Sequence, residues 1–221
     1  MNIIYVKKNN LDKDYLIDRD IFWDIKSEEF KKNKEPLWNG SVYYMANVDK
    51  DNYSIGLCEY KDILFSESVG IEKIKDKYNG DNNFVYINVQ ILVEGKDGYV
   101  FGTKKIDIGT EIISVGGTLR LEDKEEIKSF YDIKKYAKKE VDIETNLSIE
   151  IDDLKYLDVV MENNICTFIF NYRLEDGHKS NLLKIGEFDG EITIIKDKIF
   201  NSEKIYPNVR LRSIRDFVEN L

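Results

Sequence analysis

The chain has 221 residues, of which 42% are hydrophobic and 34% charged, and a net charge of −9. Its 14 tyrosines and 11 phenylalanines exclude a disordered chain, and the length allows one well-buried core, or a domain with a small appended subdomain. The acidic balance excludes a broad nucleic-acid footprint, so a phosphorylated ligand would need a local cluster of Arg, Lys or backbone N–H groups.

The first stretch, "MNIIYVKKNNLDKDY", has too short an apolar run for a signal peptide, and no segment reaches membrane-spanning length. A cytoplasmic protein with no membrane partner is expected. Residues 18 to 36 form a short amphipathic helix ending before Pro36. In "WNGSVYYMANVDKDNYSIGLCEYKDILF", Val42, Tyr44, Ala46 and Val48 alternate with polar or opposite-facing positions, and Ile55 and Leu57 resume after "DKDN". That is a hairpin. "GIEKIKDKYNGDNN", from Gly70 to Asn83, reads as a short helix and a long loop.

From Phe84 to Val93 the chain is almost continuously apolar, as a central strand covered on both faces would be. It is followed by the turn "EGKDG", a second strand, and "EIISVGG", a short strand ending in two glycines. "LEDKEEIKSFYDIKKYAKKEVDIE" is the clearest helix, with Ile127, Phe130, Lys134, Ala137 and Val141 roughly on one stripe. Its acids gather early and its lysines late, in agreement with the helix dipole. "DLKYLDVVME" and "ICTFIFNYRL" pair around "NN", "GEITIIK" is a further strand, and "VRLRSIRDFVENL" a last helix. This order predicts a mixed α+β sandwich.

Cys58 and Cys166 sit in alternating apolar runs and read as buried thiols in a reducing compartment. With them and one histidine, His178 in the turn-like "EDGHKSN", there is little material for a zinc site or a histidine-based triad.

"SVGGTLRLED" leading into "FYDIKKYAKKEVDIE" resembles the signature box of the Nudix superfamily, G-x5-E-x7-R-E-U-x-E-E-x-G-U with U aliphatic. Gly117 takes the opening glycine, preceded by Gly116, with Val115 where a proline is common. Asp123 stands for the first glutamate. With a four-residue insertion, Lys135 takes the arginine, Tyr136 the next glutamate, Ala137 the aliphatic, and Lys139 and Glu140 the paired glutamates. "PLWNGSVYYMANV" and the tripeptide Tyr60, Lys61, Asp62 are weakly similar to the UDP-sugar diphosphatase branch. The resemblance covers residues 84 to 221. It implies an α+β, Nudix-like mixed-sheet α/β/α sandwich spanning 84–221, with residues 1–80 as an N-terminal helix and β-hairpin extension.

Members of the family mostly hydrolyse nucleoside diphosphates linked to another group. Three glutamates at i, i+3 and i+4 of the box helix hold Mg²⁺ or Mn²⁺, which neutralises diphosphate charge and activates water. In this alignment only Glu140 survives, and the Lys139 ammonium would repel a cation beside it. The resemblance therefore implies a protein that binds a nucleoside-diphosphate derivative with weak Mg²⁺ or Mn²⁺ binding and with hydrolysis weakened or lost. Glu140 is the catalytic candidate, Glu140 and Asp123 the metal candidates, and Gly116, Gly117, Arg120 and Lys139 the ligand-binding ones. Glu122, Glu125, Glu126, "IEIDD", Glu162 and Glu175 are reserve carboxylates, Arg210, Arg212 and Arg215 a further basic set, and Trp38 and Tyr44 candidates to stack on a base. Two alternatives stay open: an active, atypical diphosphohydrolase for a UDP-sugar-like substrate, and a protein-interaction domain with no small ligand. The N-terminal hairpin offers a surface for a homodimer.

Overall fold

A computed structural model describes every residue except 8–10, 35–36, 80–83, 122–125, 146, 163, 175–189, 196–197 and 202–203. The described residues form two compact units, Met1–Ile87 with Leu119–Phe130, and Asn88–Thr118 with Tyr131–Leu221. The first unit thus extends to Ile87 and takes in a later stretch of the chain, whereas the sequence-based division is drawn between residues 80 and 84.

In the first unit, α1 (Lys13–Asn33) begins five positions before the expected Asp18. Asp12 explains the earlier start: its side chain accepts from the N–H groups of Asp14 (2.8 Å) and Tyr15 (3.2 Å), satisfying donors that a first helical turn leaves open. Lys34 ends the helix in the left-handed conformation. Strands β2 (Ser41–Asp49) and β3 (Asn52–Glu59) form the expected hairpin, with a bulge between Met45 and Asn47, and β1 (Asn2–Tyr5) adds to β3 in parallel.

The residues "YKDILF", read from sequence as part of the hairpin, instead open α2 (Tyr60–Val69). Asp62 makes the switch, because its Oδ2 accepts the Glu59 N–H at 2.9 Å in a reciprocal cap. Gly70, at φ 89°, separates α2 from α3 (Ile71–Lys77). Tyr15, Phe65, Tyr78 and Phe84 meet in the core of this unit, with Tyr15 edge-on to Phe65 and Tyr78. Residues 119–130 join through Tyr43 N–H to the Leu119 carbonyl and through Ile127 N–H to Tyr43 Oη, at 2.9 and 2.8 Å.

The second unit is built on β4 (Val85–Gly95), whose residues from 88 onward belong to it. Strands β5 (Gly98–Ile106) and β6 (Gly109–Ile113) follow as antiparallel neighbours, and β7 (Val115–Thr118) pairs antiparallel with residues 88–91 of β4. After α4 (Phe130–Glu144) and a short 3₁₀ turn at Ile151–Asp153 come β8 (Lys155–Glu162) and β9 (Ile165–Arg173), the latter pairing with β4. β10 (Gly190–Ile194) runs antiparallel on β5, and β11 (Ile205–Pro207) parallel on β6, which makes the sheet mixed. The expected last helix is two short ones, α5 (Val209–Arg212) and α6 (Arg215–Glu219).

Helices cover both faces of β4. Val89 pairs with Gly117, and Gly117 faces α4, so odd-numbered residues of β4 turn toward that helix. Leu92, on the opposite face, belongs to a core cluster with Ile169, Leu211, Ile214 and Val218. The α+β, α/β/α arrangement expected from the sequence is therefore present in this unit.

Candidate functional site

The expected helix over residues 121–144 is shorter than its pattern suggested: α4 begins at Phe130, so Glu126 precedes it, pairing at 3.3 Å with Lys128. The charge gradient ascribed to the helix dipole is also absent, since the only acid in the first turn is Asp132 and the last turn has no base. The buried stripe is Ile133, Tyr136, Ala137, Glu140, Val141 and Glu144 rather than one containing Lys134. Lys134, half-buried, lies 4.0 Å from the exposed Asp152.

Tyr136, Glu140 and Glu144 stand at i, i+4 and i+8, one above another on the helix surface. They meet three consecutive residues of β7 in reverse order. Tyr136 Oη donates to the Thr118 carbonyl at 2.5 Å. The Glu140 carboxylate lies over Gly117, where a Cβ would come within 2.6 Å of Oε2. Glu144 Oε2 accepts the Gly116 N–H at 2.8 Å. All three side chains are at most 8% exposed.

Both glycines are required by this arrangement. Gly116 has φ 141°, and a Cβ on it would stand 2.2 Å from the Val89 carbonyl oxygen of the neighbouring strand. Gly117 leaves the space that the Glu140 carboxylate fills.

The candidates from sequence separate accordingly. Glu140, Gly116 and Gly117 come together, and Lys139 is half-buried one position along the helix. Arg120 belongs to the first unit, where its side chain is exposed and its backbone bridges to Val42. Asp123, Glu122, Glu125, Glu175 and His178 lie outside the described residues. In "IEIDD", Asp153 caps its own 3₁₀ turn by accepting the Glu150 N–H at 2.7 Å. Arg215 pairs with Glu219 at 2.8 Å. Tyr44 is 5% exposed in the core of the first unit and so presents no face for a base, while Trp38 is exposed and tilts against Tyr60.

Glu144 was missed by the sequence reading. Its signal was available: an acid in the last turn of a helix is opposed by the dipole, and one four residues after a candidate carboxylate shares its face.

Among the described residues, the donors present do not make a seat for a divalent cation. Hard cations take about six oxygen ligands, several of them anionic, whereas no three acidic, histidine or cysteine side chains converge among the described residues. One of the two carboxylates already accepts a backbone N–H. No helix among the described residues is long and apolar enough to cross a membrane, which leaves β-barrel proteins unaddressed. Cys58 and Cys166 are buried thiols, in no disulfide.

No protein-family model matches the chain, and no curated protein matches it. Among solved structures it is similar to a NUDIX-family hydrolase from Clostridium perfringens, at 13% identity over 61% of this chain and 96% of that one, with TM-score 0.39. A NUDIX hydrolase from Nitrosomonas europaea shows 16% identity over 60% and 87%, with TM-score 0.40. The C-terminal domain of mouse MUTYH, solved in complex with human PCNA, shows 12% identity over 61% and 88%, with TM-score 0.39. These TM-scores lie below 0.5 and carry no weight for chemistry, which α4 and β7 must supply.

Proposed function

We propose that the second unit is a Nudix-type module that binds a nucleoside-diphosphate derivative, with hydrolysis weakened or lost. The observation that carries this is that Glu140 and Glu144 both turn inward onto Gly117 and Gly116 of β7. It moves the second half of the box four residues along α4. "KEVDIETNL" then stands for R-E-U-x-E-E-x-G-U: Lys139 takes the arginine, Glu140 the first glutamate, Val141 the aliphatic, Glu144 the last glutamate and Leu147 the final aliphatic.

In this register Lys139 no longer occupies a metal position, so the ammonium repulsion inferred from sequence falls away. The deficit moves to Ile143, which takes the middle glutamate and is 41% exposed. Two carboxylates of three remain, and an isoleucine supplies no oxygen to a cation. Water activation by a bound metal needs the missing charge.

Two measurements on the full chain test the reading. A panel of nucleoside-diphosphate sugars, dinucleotides and nucleoside triphosphates should include a ligand that raises the melting temperature. Product release from that ligand with Mg²⁺ or Mn²⁺ should stay at background. Metal-dependent turnover, lost in Glu144→Gln, would establish the atypical hydrolase instead. A panel without any thermal shift would favour the interaction domain.

A further inference from the structure

One stripe of α4 meets the backbone of β7 at the point where a ligand would be sought. Thr118, Gly117 and Gly116 are met in turn by Tyr136, Glu140 and Glu144, three rungs about one helical turn apart. A charge-assisted bond from a buried N–H to a carboxylate is stronger than one between neutral groups, and it uses the donor that a bound anion would need. The two carboxylates are at most 8% exposed, the burial of packed interior groups rather than of an open seat.

We propose that Glu140 and Glu144 form an internal clasp. They lock α4 onto the two glycines of β7, with the Glu144 carboxylate standing in cis where an external anion would otherwise take the Gly116 N–H. The clasp explains why β7 has a glycine at 117 and why an acid ends a helix whose dipole opposes it. It also assigns these residues a structural task that needs no cation. The family reading is not required for this, because the contacts that carry it join α4 to β7. In a ligand-binding protein, the phosphates would then be held by groups other than the Gly116 N–H.

Thermal unfolding of the full chain tests the clasp, with magnesium chloride, manganese chloride and inorganic pyrophosphate as probes. Neither metal should move the wild-type melting temperature in the low millimolar range. Glu144→Gln keeps an acceptor oxygen and should stay close to wild type. Glu144→Leu removes the carboxylate acceptor of the Gly116 N–H and should fall by roughly 4 °C or more. Gly117→Ala should be costly alone and much milder when combined with Glu140→Ala, because the two groups compete for one space. Pyrophosphate should give no shift that depends on Glu144.

A saturable rise with either metal that disappears in Glu144→Gln would overturn the proposal and restore a metal seat. So would a neutral Glu144→Leu, or additive Gly117→Ala and Glu140→Ala effects. The nucleotide panel is a separate measurement, so loss of the binding function and loss of the clasp can be told apart.

Discussion

Asp62 Oδ1 lies 2.8 Å from Arg19 Nη1, and the two side chains are 0% and 7% exposed. The pair joins α1 to the start of α2, and Asp62 uses its other oxygen to cap α2 at Glu59. Tyr15 Oη donates to the same carboxylate at 3.3 Å, while Arg19 also reaches Asp20 at 2.8 Å. One aspartate thus compensates a buried guanidinium and starts a helix.

Removing that carboxylate leaves Arg19 buried against a neutral group. Asp62→Ala should cost about 3 kcal/mol, within the range for breaking a buried pair, softened by Asp20. Asp62→Asn should cost less because its oxygen still caps α2. Urea unfolding checks both, and an unchanged midpoint for the alanine variant would contradict the account.

Burial, then the negative Asp62 beside it, hold the Tyr15 hydroxyl well above the usual tyrosine range. A raised folded-state value favours the neutral phenol. The stability it contributes is whole below the unfolded value near 10 and is lost as the pH climbs past it. Urea midpoints should therefore drop above about pH 10, and Tyr15→Phe should flatten that alkaline fall. Absorbance near 295 nm should show one tyrosine fewer ionising before unfolding.

Asn88 on β4 is fully buried, and neither polar atom of its side chain finds a hydrogen-bond partner among the described residues. Replacement by leucine, of similar volume, should raise stability by about 1 kcal/mol by removing an unsatisfied amide. A fall in the unfolding midpoint would mean that the amide is satisfied in solution.

Burial pushes the Cys166 thiol up to about 12, and the residue is 0% exposed. The thiolate is the reactive form. Cys166 should thus resist a disulfide reagent at pH 8 in the native protein and react on addition of denaturant. Fast native labelling at this position, read by mass spectrometry, would refute the packing of β9.

Period-2 alternation located the β2–β3 hairpin, because a hairpin buries one face and its pattern is local. The unbroken apolar run of β4 announced a strand covered on both sides. Local pattern failed at two junctions. "YKDILF" continues an apolar run that looks strand-like, and only the Asp62 cap and the buried Arg19 make it helical. Residues 121–129 have helical spacing, yet the described part of them pairs instead with β2 through Leu121 and Ile127.

At the candidate site, the box spacing named the glycine pair and Glu140, and the structure places Glu140 against Gly117. Glu144 was not assigned there, and Tyr136 was placed only as a lost glutamate, since alignment to a motif tolerates an insertion at any point and cannot say which face of α4 turns inward. Arg120 seemed to belong beside the glycines by proximity in sequence, but the chain passes into the first unit at Leu119.

By itself the sequence determined the composition of a packed α+β chain, its central strand, and the presence of a glycine pair followed by a charged helix. These follow from short-range periodicity and residue chemistry. Only the tertiary structure decided which carboxylates meet the glycine pair, because that depends on the rotation of α4 about its axis, set by Ile133, Ala137 and Val141 on its buried face. A rotation of one residue is about 100°, enough to exchange Lys139 for Glu140 at Gly117.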